Sequence, residues 1–133
     1  MLDWVQIAES LREQKDDLAS YANAKNHDGL FQLALMVRDS ELASVLFGWR
    51  SMFDLCIQQT DAKPYSTSYL RISPEHQGRV EFRYKDTAIS TREWSRMVAP
   101  EECSGRLLLF LDQLGWAPAI VKPMWERVKR RQI

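Results

Sequence analysis

Residues able to act as nucleophiles, general bases or metal ligands are few in this chain and lie far apart along it. Its histidines, His27 and His76, fall in segments expected to be surface loops, and its cysteines, Cys56 and Cys103, form no CxxC pair and have no histidine nearby. A Ser-His-Asp or Cys-His site needs members that converge in space, and no motif indicates such convergence. The cysteine spacing also disfavours a zinc site or a disulfide framework and favours buried free thiols. We therefore expect no enzymatic activity, no catalytic residue, no metal site and no cofactor.

Basic and aromatic side chains form a clearer pattern after residue 78. In the stretch 79–85, Val80, Phe82 and Tyr84 alternate with charged residues, which predicts a strand with one buried and one solvated face. Downstream, two arginines flank a tryptophan, and arginine with tryptophan is typical of protein–protein hot spots. Arg71 joins this group if the strand register permits. We predict that the partner-binding residues are Arg79, Arg83, Lys85, Arg92, Trp94 and Arg96.

Besides protein binding, the sequence leaves three functions open. The C-terminal segment contains a basic cluster that could contact phosphates, as in a nucleic-acid-associated regulator, although the pattern favours a solvated helix end. A secretion chaperone or adaptor would be a dimer with an exposed apolar groove. An enzyme would need a site that forms only in three dimensions. The basic cluster consists of Lys122, Arg127, Lys129, Arg130 and Arg131.

Length and charge place the chain among single-domain globular proteins. It has 133 residues and zero net charge, which predicts one domain over 1–133 and no general attraction to nucleic acid or anionic membranes. The charge is uneven: residues 1–61 carry 5 basic and 10 acidic groups, whereas residues 62–133 carry 13 basic and 8 acidic groups. No apolar stretch approaches the ~20 residues of a membrane span, and the N-terminus lacks the pattern of a signal peptide. We expect a soluble cytoplasmic protein.

Hydrophobic periodicity predicts an α+β fold, with a helical N-terminal half, a central antiparallel β-hairpin or small sheet, and C-terminal helices. We expect helices at about 2–25, 30–57, 100–114 and 123–131, and strands at about 68–73 and 79–85. The turn-like stretch 26–29 separates the first two helices. Residues 87–90 are a candidate third strand. Ser90 and Glu93 have capping-box spacing, which predicts a short helix carrying Trp94, Met97 and Val98.

The core is predicted from the apolar stripes of these elements. The stripe from Leu42 to Cys56 recurs at helical spacing and is expected to organise the core. Gly115 is expected to end the helix that begins near Pro100. The expected core residues are Leu11, Leu18, Leu42, Leu46, Trp49, Phe53, Val80, Phe82, Leu107, Phe110 and Leu111.

The predicted hairpin also carries a family resemblance. Tyr69–Ser73 followed by Gly78–Asp86, with Trp94 beyond, is similar to the hairpin of the YezG-like family of bacterial toxin-immunity proteins. The resemblance covers residues 69–95 and transfers no functional residue. It implies a cytoplasmic antidote that blocks a toxin nuclease or a similar effector by direct contact.

Overall fold

The computed structural model describes residues 2–21 and 24–131, and it confirms an α+β fold. In chain order the elements are α1 (Trp4–Asp17), α2 (Lys25–Arg38), β1 (Phe47–Ser51), β2 (Asp54–Gln58), β3 (Tyr69–Pro74), β4 (Val80–Lys85), β5 (Trp94–Val98), α3 (Cys103–Leu114) and α4 (Pro118–Arg131). Short 3₁₀ turns lie at Glu41–Ser44, His76–Gly78, Ser90–Arg92 and Pro100–Glu102.

The five strands form one antiparallel sheet in which each strand pairs with the next along the chain. Inward residues of the central strands, such as Leu55, Ile72 and Phe82, join the buried residues of α1, α2 and α3 in one core. The rings of Phe82 and Phe110 meet edge to face at 5.2 Å and join β4 to α3. Helices therefore cover one face of the sheet, and α4 packs on α3.

Local signals hold the helices at their ends. Asp3 caps α1 through a capping box with Gln6, and Gly115 ends α3 with a left-handed φ of 72°. The predicted strands at 68–73 and 79–85 correspond to β3 and β4, and the predicted helix at 100–114 corresponds to the 3₁₀ turn and α3. In each of these segments the apolar residues recur with a single periodicity, and turn or capping residues mark the ends.

The predicted helix over 30–57 is wrong beyond Arg38. Residues 41–44 form a 3₁₀ turn, and the stretch 47–58 forms the hairpin of β1 and β2. Strand β2 is buried on both faces, so its apolar residues do not alternate with polar ones. Their spacing instead resembles the apolar stripe of a helix. Within the N-terminal half, the α-helices therefore end at Arg38, and β1 and β2 follow.

The remaining boundary predictions also need correction. Helix α1 ends at Asp17, earlier than predicted, and residues 22–23 of the predicted 2–25 helix lie outside the described residues. The predicted turn at 26–29 is the first turn of α2, where the buried Asn26 Nδ2 donates to Glu75 O at 2.8 Å. Helix α4 begins at Pro118 and contains Pro123 in its interior.

The structure of residues 87–98 also differs from the prediction. Residues 87–90 form no strand, and the predicted helix around Trp94 is instead strand β5, which pairs with β4 from Tyr84↔Trp94 to Val80↔Val98. Glu93 does not complete a capping box, because its carboxylate accepts from Asp86 N at 3.1 Å. Pairing with β4 overrides the helical spacing here.

Most of the predicted core residues are buried, including Trp49 and Phe110. Leu18 is only partly buried. Phe53 is wrong as a core residue, because it lies in the β1–β2 turn and is 53% exposed. Trp49 is buried on the sheet face opposite to the helices and stays outside the main core.

The close contact between α2 and Pro100, just before α3, can be tested at Gly29, with Gly105 as the control. A Cβ at Gly29 would lie 2.8 Å from Pro100 O, whereas a Cβ at Gly105 would make ordinary contact at 3.6 Å with Val128. We predict that Gly29→Ala lowers the free energy of unfolding by about 1–3 kcal/mol, because backbone must move. Gly105→Ala should raise it by about 0.5 kcal/mol. Urea unfolding measures both, and stabilisation by Gly29→Ala would contradict the close contact.

Candidate functional site on the open face of the sheet

The sheet face opposite to the helices carries a row of side chains that crosses all five strands. The register pairs Trp49 with Cys56, Cys56 with Arg71, Arg71 with Arg83, and Arg83 with Ser95. Directly paired residues of adjacent strands point to the same face, so these five side chains lie side by side. We call this surface the open face.

An ion network joins the centre of the open face. Arg71 Nε donates to Asp54 Oδ2 at 2.6 Å, and Arg83 Nη2 lies 3.8 Å from the same oxygen. Arg83 Nη2 also donates to Ser73 Oγ at 3.1 Å. The side chains of Asp54 and Arg71 are only 15% and 21% exposed, so this pair is well shielded from water. The network holds β2, β3 and β4 together from the open side.

A second set of polar contacts continues toward β5. Glu81 accepts from Ser95 Oγ at 2.8 Å and lies 3.3 Å from Arg83 Nε. Lys85 Nζ lies 3.3 Å from Glu93 Oε1. Each cation on this part of the face therefore has an anionic neighbour, which gives a rigid surface of mixed charge.

Three aromatic residues cover the other end of the open face. Tyr65, from the β2–β3 connection, meets Trp49 edge to face at 5.1 Å and Tyr69 at 5.3 Å. Trp49 and Tyr69 are 5.7 Å apart. Tyr65 has a left-handed φ of 68° and remains partly exposed, so a strained backbone holds its ring over the face.

The thiol of Cys56 lies beneath these groups. It is fully buried, and burial raises its pKa to about 11, although Arg71 Nη1 lies 3.9 Å from the sulfur. Cys103 is also buried, and burial raises its pKa to about 12. Both cysteines are free and buried, as the sequence predicts. Neither supplies thiolate at neutral pH, so neither has the environment of a nucleophile.

The six predicted partner-binding residues do not share one surface. Arg83 and Lys85 lie on the open face, and Arg79 and Arg92 are exposed at the two ends of the β4–β5 region. Trp94 faces the helices, and its ring lies against that of Phe110 at a tilt of 52°, with the centroids 4.9 Å apart. Arg96 is exposed on the same side and lies over the Trp94 ring at 5.3 Å.

Sequence reasoning missed several residues of the open face. Asp54 and Cys56 lie two residues apart on β2 and so share the open face, but burial of both faces of this strand leaves no clear period of two, and a helical stripe runs through the same segment. Tyr65 has no sequence signal, because its position depends on a loop that folds back over the sheet. Arg71, expected only conditionally, does lie beside Arg83.

A separate polar cluster lies between the helices and the β1–β2 turn. Arg50 donates to Ser10 Oγ at 2.8 Å and to Gln14 Oε1, while Gln14 Nε2 lies 2.9 Å from His27 Nδ1. Burial, together with the positive charge of Arg50, lowers the pKa of His27. His27 is therefore a partly buried residue of α2 in this cluster and is not the surface loop residue expected from the sequence.

Protonation of His27 should weaken the fold. Because its folded-state pKa is depressed, the neutral form contributes stability above the unfolded pKa of about 6.5, and this stability is lost as the pH falls through the folded pKa. We predict that the free energy of unfolding, measured with urea at pH 7.5 and 5.5, falls more in the wild type than in His27→Gln. An equal fall in both proteins would show that other groups cause the pH dependence.

Surface depressions lie apart from the shielded groups described above. One of about 670 Å³ lies between the end of α2 and α4 and is lined by residues such as Asp39, Ile120 and Met124.

In residues 2–21 and 24–131, no three metal-binding side chains cluster as a metal site would require. None of the helices in these ranges has the length and apolar character to cross a membrane.

The fold defines an α+β protein in which helices cover one face of an antiparallel sheet and leave the other face open. No family model matches the chain, and no curated protein or solved structure was found to be similar.

Proposed function

We propose that this chain is a protein-binding module, and specifically an immunity-type inhibitor that neutralises a bacterial toxin or effector in the cytoplasm by direct binding. The observation that carries this proposal is the open face of the sheet, a broad surface that the described helices do not cover. The hairpin resemblance to the YezG-like immunity family points in the same direction, because β3 and β4 form the middle of that face.

The composition of the open face supports a protein partner. Tyr65 and the 51%-exposed Met97 supply apolar contact area at its two ends. Tyrosine, methionine and arginine are enriched at protein interfaces, and a surface whose side chains are already ordered loses little conformational entropy on binding. The cross-strand network keeps Arg83 and Lys85 in place between these apolar ends.

The arrangement favours binding over catalysis. The carboxylates of the open face are engaged with arginine, lysine or serine, and its thiol is buried and protonated. An inhibitor needs no reactive group; it needs shape and charges complementary to one partner. The acidic first half of the chain adds a negatively charged surface suited to a basic nuclease.

The proposal is tested by co-purification of the tagged protein from its native host, followed by mass spectrometry. We expect one dominant stoichiometric protein, lost with Met97→Asp on the open face and kept with Val5→Asp. Val5 is a matched control, because it is 65% exposed on α1, away from the sheet's open face. Retention of the partner by Met97→Asp would exclude the open face.

The result also separates the alternative functions. Recovery of nucleic acid in place of a protein, with loss on removal of residues 127–133 and on raising the salt concentration, would support a nucleic-acid-associated regulator. Recovery of the chain alone as a dimer would support a chaperone or adaptor. Either outcome would contradict the inhibitor proposal.

A further inference from the structure

The turn between β1 and β2 presents two adjacent apolar side chains to water. Ser51 and Asp54 form the last pair of the hairpin, so Met52 and Phe53 alone make the connection. Met52 is 87% exposed and Phe53 is 53% exposed. Single exposed apolar residues are common, but two at the tip of a hairpin form a compact protruding apolar surface.

The backbone of this tip is strained. Met52 has a φ of 56°, in the left-handed region that side chains with a Cβ rarely adopt. Two-residue hairpin turns usually place Gly, Asn or Asp at such a position. Strained conformations cluster at functional sites, so this strain adds to the case for a role of the exposed Met52 side chain.

The base of the tip is held firmly on the helices. Arg50 Nε donates to Asp54 O across the hairpin at 3.0 Å, and Gln14 Nε2 donates to Phe53 O at 3.3 Å. The Phe53 ring meets the His27 ring edge to face, with centroids 6.3 Å apart. The tip is therefore a rigid projection whose conformation is set before any partner arrives.

We propose that Met52 and Phe53 form an anchor that inserts into an apolar pocket of the bound protein. This inference rests on the proposed function, because it assumes a protein partner. Charged groups of both signs lie beside the tip: Arg50 donates to Asp54 O, and the Asp54 carboxylate belongs to the ion network of the open face, so the tip adjoins the surface proposed to bind the partner. The site that fits this anchor is therefore an apolar pocket on the same protein that covers the open face.

Glycine at position 52 separates strain from binding. Met52→Gly should increase the folding equilibrium constant about fivefold, because the left-handed φ suits glycine, although glycine also gains freedom in the unfolded chain. The same variant should weaken binding about tenfold or more, because the anchor loses its most exposed side chain. The probe is the purified stoichiometric partner from the co-purification above, measured by calorimetry, with stability measured in urea.

Gln77→Gly is the matched control. Gln77 also has a left-handed φ, of 68°, in the exposed β3–β4 turn, so glycine there should stabilise the fold without changing affinity. Phe53→p-benzoylphenylalanine provides a direct readout, because photo-crosslinking should attach it to an apolar segment of the partner.

The outcomes distinguish the two proposals. A wild-type chain that recovers no protein partner contradicts the proposed function and the anchor together. A recovered partner that binds Met52→Gly as tightly as wild type contradicts the anchor alone. A stable dimer of the chain by itself, abolished by Met52→Gly, would show that a second copy occupies the tip and would overturn the assignment to a separate partner protein.

Discussion

Replacement of Phe82 by alanine is expected to lower the free energy of unfolding by about 3–5 kcal/mol. Phe82 is fully buried in β4 and its ring meets Phe110 of α3 edge to face. Truncation would leave a cavity between the sheet and α3 that the surrounding side chains fill only partly. A loss of this size approaches the total stability of many small domains, so urea unfolding should be measured at low temperature.

The matched control for Phe82→Ala is Met97→Ala on the neighbouring strand. Met97 pairs with Glu81 and therefore points to the open face, where its side chain is half exposed. Its truncation should change the free energy of unfolding by about 0.5 kcal/mol or less. Comparable losses in the two variants would mean that the side chain of Met97 is covered in solution, either by helices or by a second subunit.

Replacement of Asp54 by alanine should cost about 2–3 kcal/mol, because it leaves the shielded guanidinium of Arg71 without its carboxylate partner. Asp16→Ala is the control, since Asp16 pairs with Arg12 at 3.0 Å on the exposed side of α1. That pair should contribute about 0.5 kcal/mol or less. Urea unfolding of both variants compares the same substitution in a shielded and in an exposed ion pair.

The cause of the Asp54→Ala effect is tested by a double-mutant cycle with Arg71→Met. Once the guanidinium is replaced by an apolar group, loss of the carboxylate should cost much less, so the double variant should be more stable than the two single losses together indicate. Additive losses would show that Asp54 acts through the hairpin and not through Arg71.

Strands β3 and β4 and helix α3 were predictable because local and tertiary preferences agree there. Val80, Phe82 and Tyr84 alternate with charged residues because one face of β4 is buried and the other is solvated. Gly115 marks the end of α3 because its left-handed φ favours glycine at that position. Such features need no knowledge of distant residues.

The hairpin of β1 and β2 was hidden for two physical reasons. Strand β2 has neighbours on both sides and both its faces are shielded, so its residues show no period of two. Its turn contains Met52 and Phe53 in place of the usual Gly, Asn or Asp, so the strongest hairpin signal is missing. The same unusual residues make the proposed anchor, which links the failed prediction to the functional hypothesis.

The sequence alone was sufficient for the α+β class, the central hairpin, most of the core and two buried free thiols, because composition and local period report burial directly. Only the tertiary structure decided which residues share a surface. Trp94 turns toward α3 and leaves the predicted binding group, whereas Asp54, Tyr65 and Arg71 meet on the open face from two adjacent strands and the loop between them. Strand register and loop path bring these groups together, and both depend on contacts between elements that local periodicity does not record.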